Sequence, residues 1–149
     1  MIGKLTRSQS ERVLLSELVG RIGCSVSGKV YIVPVAYAFD GNFIYAHSKE
    51  GLKIKMMRKN PKVCFEVESR ENLANWRTVI VWGNYRELKT PVEIGKGMKI
   101  LNDRFGPYSL SESVKPTPYG DIPRNIEREN RPVVYRISIE EISGKFEKS

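Results

Sequence analysis

The sequence predicts a mainly β, α+β fold: a small antiparallel barrel with flanking helices. Three observations carry this. Apolar, β-branched and aromatic runs follow one another at short intervals. Ser27-Gly28 and Asp40-Gly41-Asn42 sit between such runs as hairpin signals. Only three segments carry helical patterns: 8–19, 50–59 and the stretch beginning at Thr90.

The elements follow in order. Ser8 and Glu11 fit an S-x-x-E capping box, and Leu14, Leu15, Leu18 and Val19 make one helical face that stops at Gly20. Residues 21–27 form a first strand. Lys29 to Phe39 is apolar on both faces, so this strand is expected to be buried on both, under a helix or a partner subunit. Pro34 cannot donate to a ladder, which predicts a bulge or an unpaired edge there. Phe43 to His47 returns as the next strand. Residues 50–59 read as a short helix burying Leu52, Met56 and Met57, and Asn60-Pro61 ends it. Val63, Phe65 and Val67 alternate with Cys64, Glu66 and Glu68, a half-exposed strand, and Arg77 to Leu88 is another. Thr90-Pro91-Val92-Glu93 starts a helix with Ile94, Met98, Leu101 and Phe105 inside. A long Pro-containing stretch, 106–131, reads as a loop or arm: a lid, a subunit contact or a mobile connection. A last strand carries Val133, Tyr135, Ile137 and Ile139.

Composition narrows the function classes. With 149 residues, one domain over 1–149 is expected. No apolar run is long enough for a membrane span, and residues 1–10 lack the apolar core of a signal peptide, so a cytoplasmic location is expected. Two cysteines suggest neither a disulfide scaffold nor a zinc site. The single histidine, His47, excludes any metal or catalytic design that needs two.

The net charge is +8, from 25 Lys and Arg against 17 Asp and Glu. It is concentrated in residues 49–62, where Lys49, Lys53, Lys55, Arg58, Lys59 and Lys62 face one acid, Glu50. That segment follows a strand, with Ser48 available as an N-cap and Gly51 near the helix start. Such a junction suits an anion, because free backbone donors, the helix dipole and a Lys converge. A solvated Lys-rich face is the plainer reading of the same run. No phosphate-loop or dinucleotide fingerprint is present. Nucleic acid is disfavoured, because 49–62 contains no aromatic residue to stack a base.

An ordered series of short segments then carries a family resemblance: Arg21-Ile22-Gly23-Cys24, Tyr31 to Tyr37, Asp40 to Ser48, Gly51-Leu52-Lys53, Asn60 to Phe65 and Thr78 to Gly83. The series resembles the flavin-binding split-barrel family related to pyridoxamine 5′-phosphate oxidase, nearest its nitroimidazole-resistance (Nim) type branch. Residues 8–90 match well and Tyr135 to Lys145 more loosely. The resemblance implies a split barrel and a homodimer, with FMN, or FAD sharing the same phosphate and ring contacts, between subunits. It places Pro34, Val35, Ala36 and Tyr37 on the strand under the flavin ring. Tyr45, Ala46, His47 and Ser48 lie on the strand end facing ring and phosphate. Lys53 falls at the phosphate-binding Lys and Thr78 at a cofactor contact, and Trp76 and Trp82 are near enough in sequence to contribute to the cleft. Leu52 replaces an Arg that the oxidase uses. His47 is implied beside flavin and substrate, as proton donor or substrate contact.

The implied function is a flavin-dependent oxidoreductase acting on a small organic acceptor, a nitroaromatic among the candidates, with a nicotinamide donor. The oxidase's C-terminal Arg-x-His is absent, so vitamin B6 oxidation is not expected, and the His ligand of heme-degrading relatives is missing too. The alternative is the same fold binding or storing flavin or heme without turnover.

Overall fold

The computed structural model describes residues 1–108 and 132–149. Chain order is β1 (Ile2–Lys4), α1 (Arg7–Ser16), β2 (Val19–Val26), β3 (Lys29–Ala36), β4 (Ala38–Phe39), β5 (Phe43–Lys49), α2 (Leu52–Lys59), β6 (Lys62–Asn72), β7 (Asn75–Glu87), α3 (Pro91–Phe105), a 3-10 turn at Gly106–Tyr108, β8 (Pro132–Ser138) and β9 (Glu141–Glu147). The expected loop 106–131 lies, beyond Tyr108, outside the described residues.

The strands form one nine-stranded sheet in the order β3-β2-β6-β7-β8-β5-β4, with β9 paired to β7 and β1. All pairs are antiparallel. The strands at the two ends of that path, β3 and β4, are separated in the chain by Tyr37 alone. The sheet must therefore curl back on itself, and it does so without closing: a split barrel, as the family resemblance implies. Tyr37 is fully buried at this corner. Its N–H donates to the Leu18 carbonyl (3.1 Å) and its hydroxyl to the Leu14 carbonyl (2.6 Å).

The main core fills the curl, with Ile22, Ile44, Phe65, Val67, Val79, Val81, Tyr135 and Ile137 inaccessible to solvent. The alternation in 63–68 is kept: Val63, Phe65 and Val67 are buried while Cys64, Glu66 and Glu68 are half-exposed. A second cluster joins α3 to the outside of the sheet through Met98, Leu101 and Phe105 against Ala38, Tyr45, Leu88 and Val134. The start of α3 is as predicted, since the Thr90 hydroxyl accepts from the Glu93 N–H (3.1 Å).

Several expectations are corrected. The first helix is Arg7–Ser16, not 8–19, and its capping box is Thr6 with Gln9 rather than Ser8 with Glu11. The Thr6 hydroxyl accepts from Gln9 N–H and the Gln9 amide oxygen accepts from Thr6 N–H. Glu17 is already extended, so Val19 belongs to β2, and the helix buries Ser10, Val13 and Leu14 while Leu15 stays exposed.

The strand expected over 29–39 breaks at Tyr37. No helix covers one face of β3 in the single chain, where Val30 is 68% and Ile32 65% exposed and Pro34 is exposed beside them, which leaves a partner subunit as the expected cover. Of the two outcomes expected at Pro34, a bulge or an unpaired edge, the structure has the edge: the β2–β3 register runs unbroken from Val26↔Lys29 to Val19↔Ala36, and β3 ends the sheet path. Counting from the hairpin's closing pair, the missing N–H of Pro34 points away from β2, where a proline costs the ladder nothing.

In α2, Leu52 is exposed and Ile54 takes the buried place. Ser48 is not a cap, since its hydroxyl donates to the Lys49 carbonyl. Strands β1 and β9 were not predicted; Gly144 inside β9 and the short length of β1 obscured their alternation.

Candidate functional site

Two features on the described surface have the makings of a site. The first is the junction of β5 and α2. Strand β5 delivers His47 opposite Val134 of β8, and α2 begins at Leu52 after an extended Gly51 that offers no side-chain cap. The first backbone N–H groups of the helix are thus left for another acceptor. Lys53, in that first turn, is half-buried and has no acidic partner among the described residues. Burial lowers its pKa, opposed in part by Cys24. His47, also half-buried, has its pKa lowered by burial and then by the charge of Lys53. The imidazole is therefore neutral at pH 7. Cys24, buried on β2, has its thiol pushed up by burial and then by Cys64, and Lys53 lowers it. His47, Lys53 and Cys24 thus come from three elements to one neighbourhood, although they lie far apart in sequence.

The rest of the basic run has other employment. Arg58 makes a bidentate pair with Glu50 (2.7 and 2.8 Å) and reaches Glu87 (2.7 Å), which also accepts from the Tyr85 hydroxyl (2.8 Å). Burial alone would raise the Glu87 pKa, but the bonds from Arg58 and Tyr85 hold it below the usual value. This network ties α2 to the end of β7, and in it Glu50, the one acid of the 49–62 run, is matched by Arg58.

The second feature is a groove of about 390 Å³ on the open face of the sheet, walled by Val30, Ile32, Val63, Cys64 and Trp82, with Lys62 and Glu140 among its polar lining. Trp82 is 40% exposed. Its volume suits a small planar ligand. Glycines make it: a Cβ on Gly23 would stand 2.8 Å from Cys64 Sγ, and Gly83 also lines the groove.

The sequence-derived site residues divide accordingly. His47, Ser48 and Lys53 share the β5–α2 junction. Pro34 is exposed on the open edge, with Val35 and Ala36 half-buried beside it. Trp82 lies in the groove. Tyr37 and Ala46 face the core, and Tyr45 is buried under α3. The Thr78 hydroxyl is occupied by Glu66 (2.9 Å). Val30, Ile32, Gly23 and Gly83 were not singled out as site residues; small residues at 23 and 83 within otherwise bulky strands were the available signal. Among the described residues, no group of His, Cys, Asp or Glu is arranged to hold a metal ion, and no helix is long and apolar enough to cross a membrane.

Comparison with known proteins gives a consistent set. A family model described as pyridoxamine 5′-phosphate oxidase matches residues 6–146. An uncharacterized protein of Rhizobium meliloti is 28% identical over 145 residues, 95% of this chain and 92% of the relative. Among solved structures, an FAD-binding protein of Mesorhizobium loti is 27% identical with a TM-score of 0.76, covering 100% of this chain and 98% of its own. An FAD-binding protein of Mycobacterium smegmatis shares the fold at 18% identity and a TM-score of 0.66, covering 97% of each chain. A protein of Bacteroides thetaiotaomicron provisionally assigned to 5-nitroimidazole antibiotic resistance does so at 16% and 0.71, covering 98% of this chain and 87% of its own.

Proposed function

Because the chain belongs to the pyridoxamine 5′-phosphate oxidase family, we propose that it is a flavin-binding homodimer acting as an oxidoreductase on a small organic acceptor. The observation that carries this reading is Lys53: a half-buried cation, without an acidic partner among the described residues, at the uncapped N-terminus of α2. The flavin phosphate is the anion that fits it, held by the ammonium group and the free N–H groups of the first turn.

The open face of β3 with Trp82 supplies apolar surface for the ring. Burying Val30, Ile32 and Trp82 against a second copy would exclude water from it and complete the cleft. When bound, the flavin supplies the hydride chemistry, so the chain needs to bind, orient and shield rather than furnish an acid–base pair. His47, neutral at pH 7, offers a hydrogen bond to the acceptor and receives a proton only weakly beside Lys53. FMN is the expected cofactor. FAD shares the same phosphate and ring contacts, and the Mesorhizobium loti structure, an FAD-binding protein, favours testing both. A nicotinamide coenzyme is the proposed electron donor, and the cytoplasm the proposed location.

The test is spectroscopic. Purified protein should show oxidised-flavin absorption, and Lys53→Ala should lose most of it while Lys55→Ala keeps it. A colourless protein that takes up neither FMN nor FAD ends the reading. Anaerobic addition of a nicotinamide donor should bleach the flavin; flavin that stays oxidised with every donor leaves a binding protein in place of an enzyme.

A further inference from the structure

A second concave surface, of about 240 Å³, lies between α1, β7 and β9 and is lined by Leu5, Gln9, Arg12, Arg77, Phe146 and Lys148. Its position follows from register. Arg77 pairs directly with Phe146, and Phe146 with Gly3 on its other side. A Cβ on Gly3 would stand 2.8 Å from the Phe146 ring, so the main chain of β1 backs that ring closely. Gln9 and Arg12, three residues apart on α1, share one helical face. Side chains alternate along β7, so Arg77 projects from the sheet face opposite to Thr78 and Trp82. The surface is therefore separate from the groove and from α2.

Its chemistry is one-sided. Three cations line it and no acid does. The Gln9 amide oxygen is taken by the Thr6 N–H (2.8 Å), which leaves its NH₂ as a further donor. The floor is apolar, from half-buried Leu5 and Phe146. The two arginines are distinguished from the others described. Arg7, Arg21, Arg58, Arg70 and Arg86 are in ion pairs. Arg104 donates to backbone carbonyls and Arg136 lies over the Phe43 ring. Among the described residues only Arg12 and Arg77 lack any such partner, and both line this one surface.

We propose that this surface binds the phosphate group of a small organic phosphate that carries a planar aromatic ring, the class to which nucleoside monophosphates belong. Arg12, Arg77 and Lys148 hold the phosphate, and the ring lies on Leu5 and Phe146. Guanidinium groups favour phosphate for its bidentate acceptor geometry. The proposal is independent of the flavin reading.

Calorimetry on the full chain as purified tests it, with adenosine 5′-monophosphate, adenosine and pyrophosphate as probes. Adenosine 5′-monophosphate should bind saturably, one per chain, and at least about tenfold more tightly than adenosine, as charge-assisted bonds to phosphate require. Arg12→Gln and Arg77→Gln should each weaken it about tenfold and flatten its salt dependence. Both side chains are exposed, so both variants should keep the wild-type melting temperature. No saturable binding by the nucleotide or by pyrophosphate overturns the proposal. So does equal affinity for adenosine, or affinity unchanged in both variants. Loss of nucleotide binding in Lys53→Ala, a residue outside this surface, would assign the anion to α2 and would overturn it as well.

Discussion

Gly83 lies so close to the main-chain carbonyl of Ser138 that a β-carbon at position 83 would collide with it. This is where β7 changes partners. Up to Trp82 it pairs with β9, and from Tyr85 it pairs with β8. The chain between those two strands must pass over β7 here, and only a residue without a side chain permits it. Gly83→Ala is expected to destabilise the fold by roughly 3 kcal/mol or more, the upper range for overpacking against backbone. Urea unfolding checks this; a midpoint close to wild type would refute the crowding.

The Tyr37 hydroxyl satisfies a carbonyl in the last turn of α1, where helix carbonyls have no partner of their own. Tyr37→Phe is expected to cost about 1–2 kcal/mol, because it strands a buried carbonyl. The change should also speed amide exchange in α1 relative to β6 and β7.

Arg58 joins Glu50 and Glu87 with side chains only 11–30% exposed. Partial exposure screens the pairs, so Arg58→Met is expected to cost about 1–2 kcal/mol, less than a fully buried pair. A double-mutant cycle with Glu87→Gln should show coupling. Additive costs would mean that the pair contributes nothing.

The pH dependence of stability should carry the mark of His47. Burial and then Lys53 hold its folded pKa below the ordinary 6.5. The unfolded chain therefore binds the imidazole proton at higher pH than the folded one. This contribution is fully present above about 6.5 and declines as pH falls below it, until the folded imidazole also protonates. His47→Gln should flatten the stability profile just below 6.5. An unchanged profile would place the imidazole in water.

If a second copy covers β3, Ile32→Glu should yield a monomer of unchanged fold in analytical ultracentrifugation, since Ile32 is 65% exposed in the single chain. A wild-type protein that is monomeric at every concentration would remove the dimer from the proposal.

Local chemistry made much of the fold legible in advance. Ser27-Gly28 and Asp40-Gly41-Asn42 marked hairpins because positive φ at Ser27, Gly28 and Gly41, and the two bonds accepted by the Asp40 carboxylate, are properties of a few adjacent residues. Thr90 and Pro91 marked the start of α3 for the same reason. The cap of the first helix was misplaced by two residues because two S/T-x-x-E/Q boxes overlap there, and backbone geometry alone decides between Thr6 and Ser8.

What the sequence determined by itself was the antiparallel, mostly β character, the concentration of charge around α2, and the flavin-family resemblance. It could not decide which charges are matched. Only the tertiary structure brings Glu50 and Glu87 onto Arg58, leaves Lys53 without an acid among the described residues, and gathers Arg12 and Arg77 over Phe146. It also decided that β3 lies at the edge of the sheet, with one face uncovered in the single chain. Those outcomes depend on contacts between residues distant in the chain, set by how the sheet curls at Tyr37, and spacing along the sequence does not encode them.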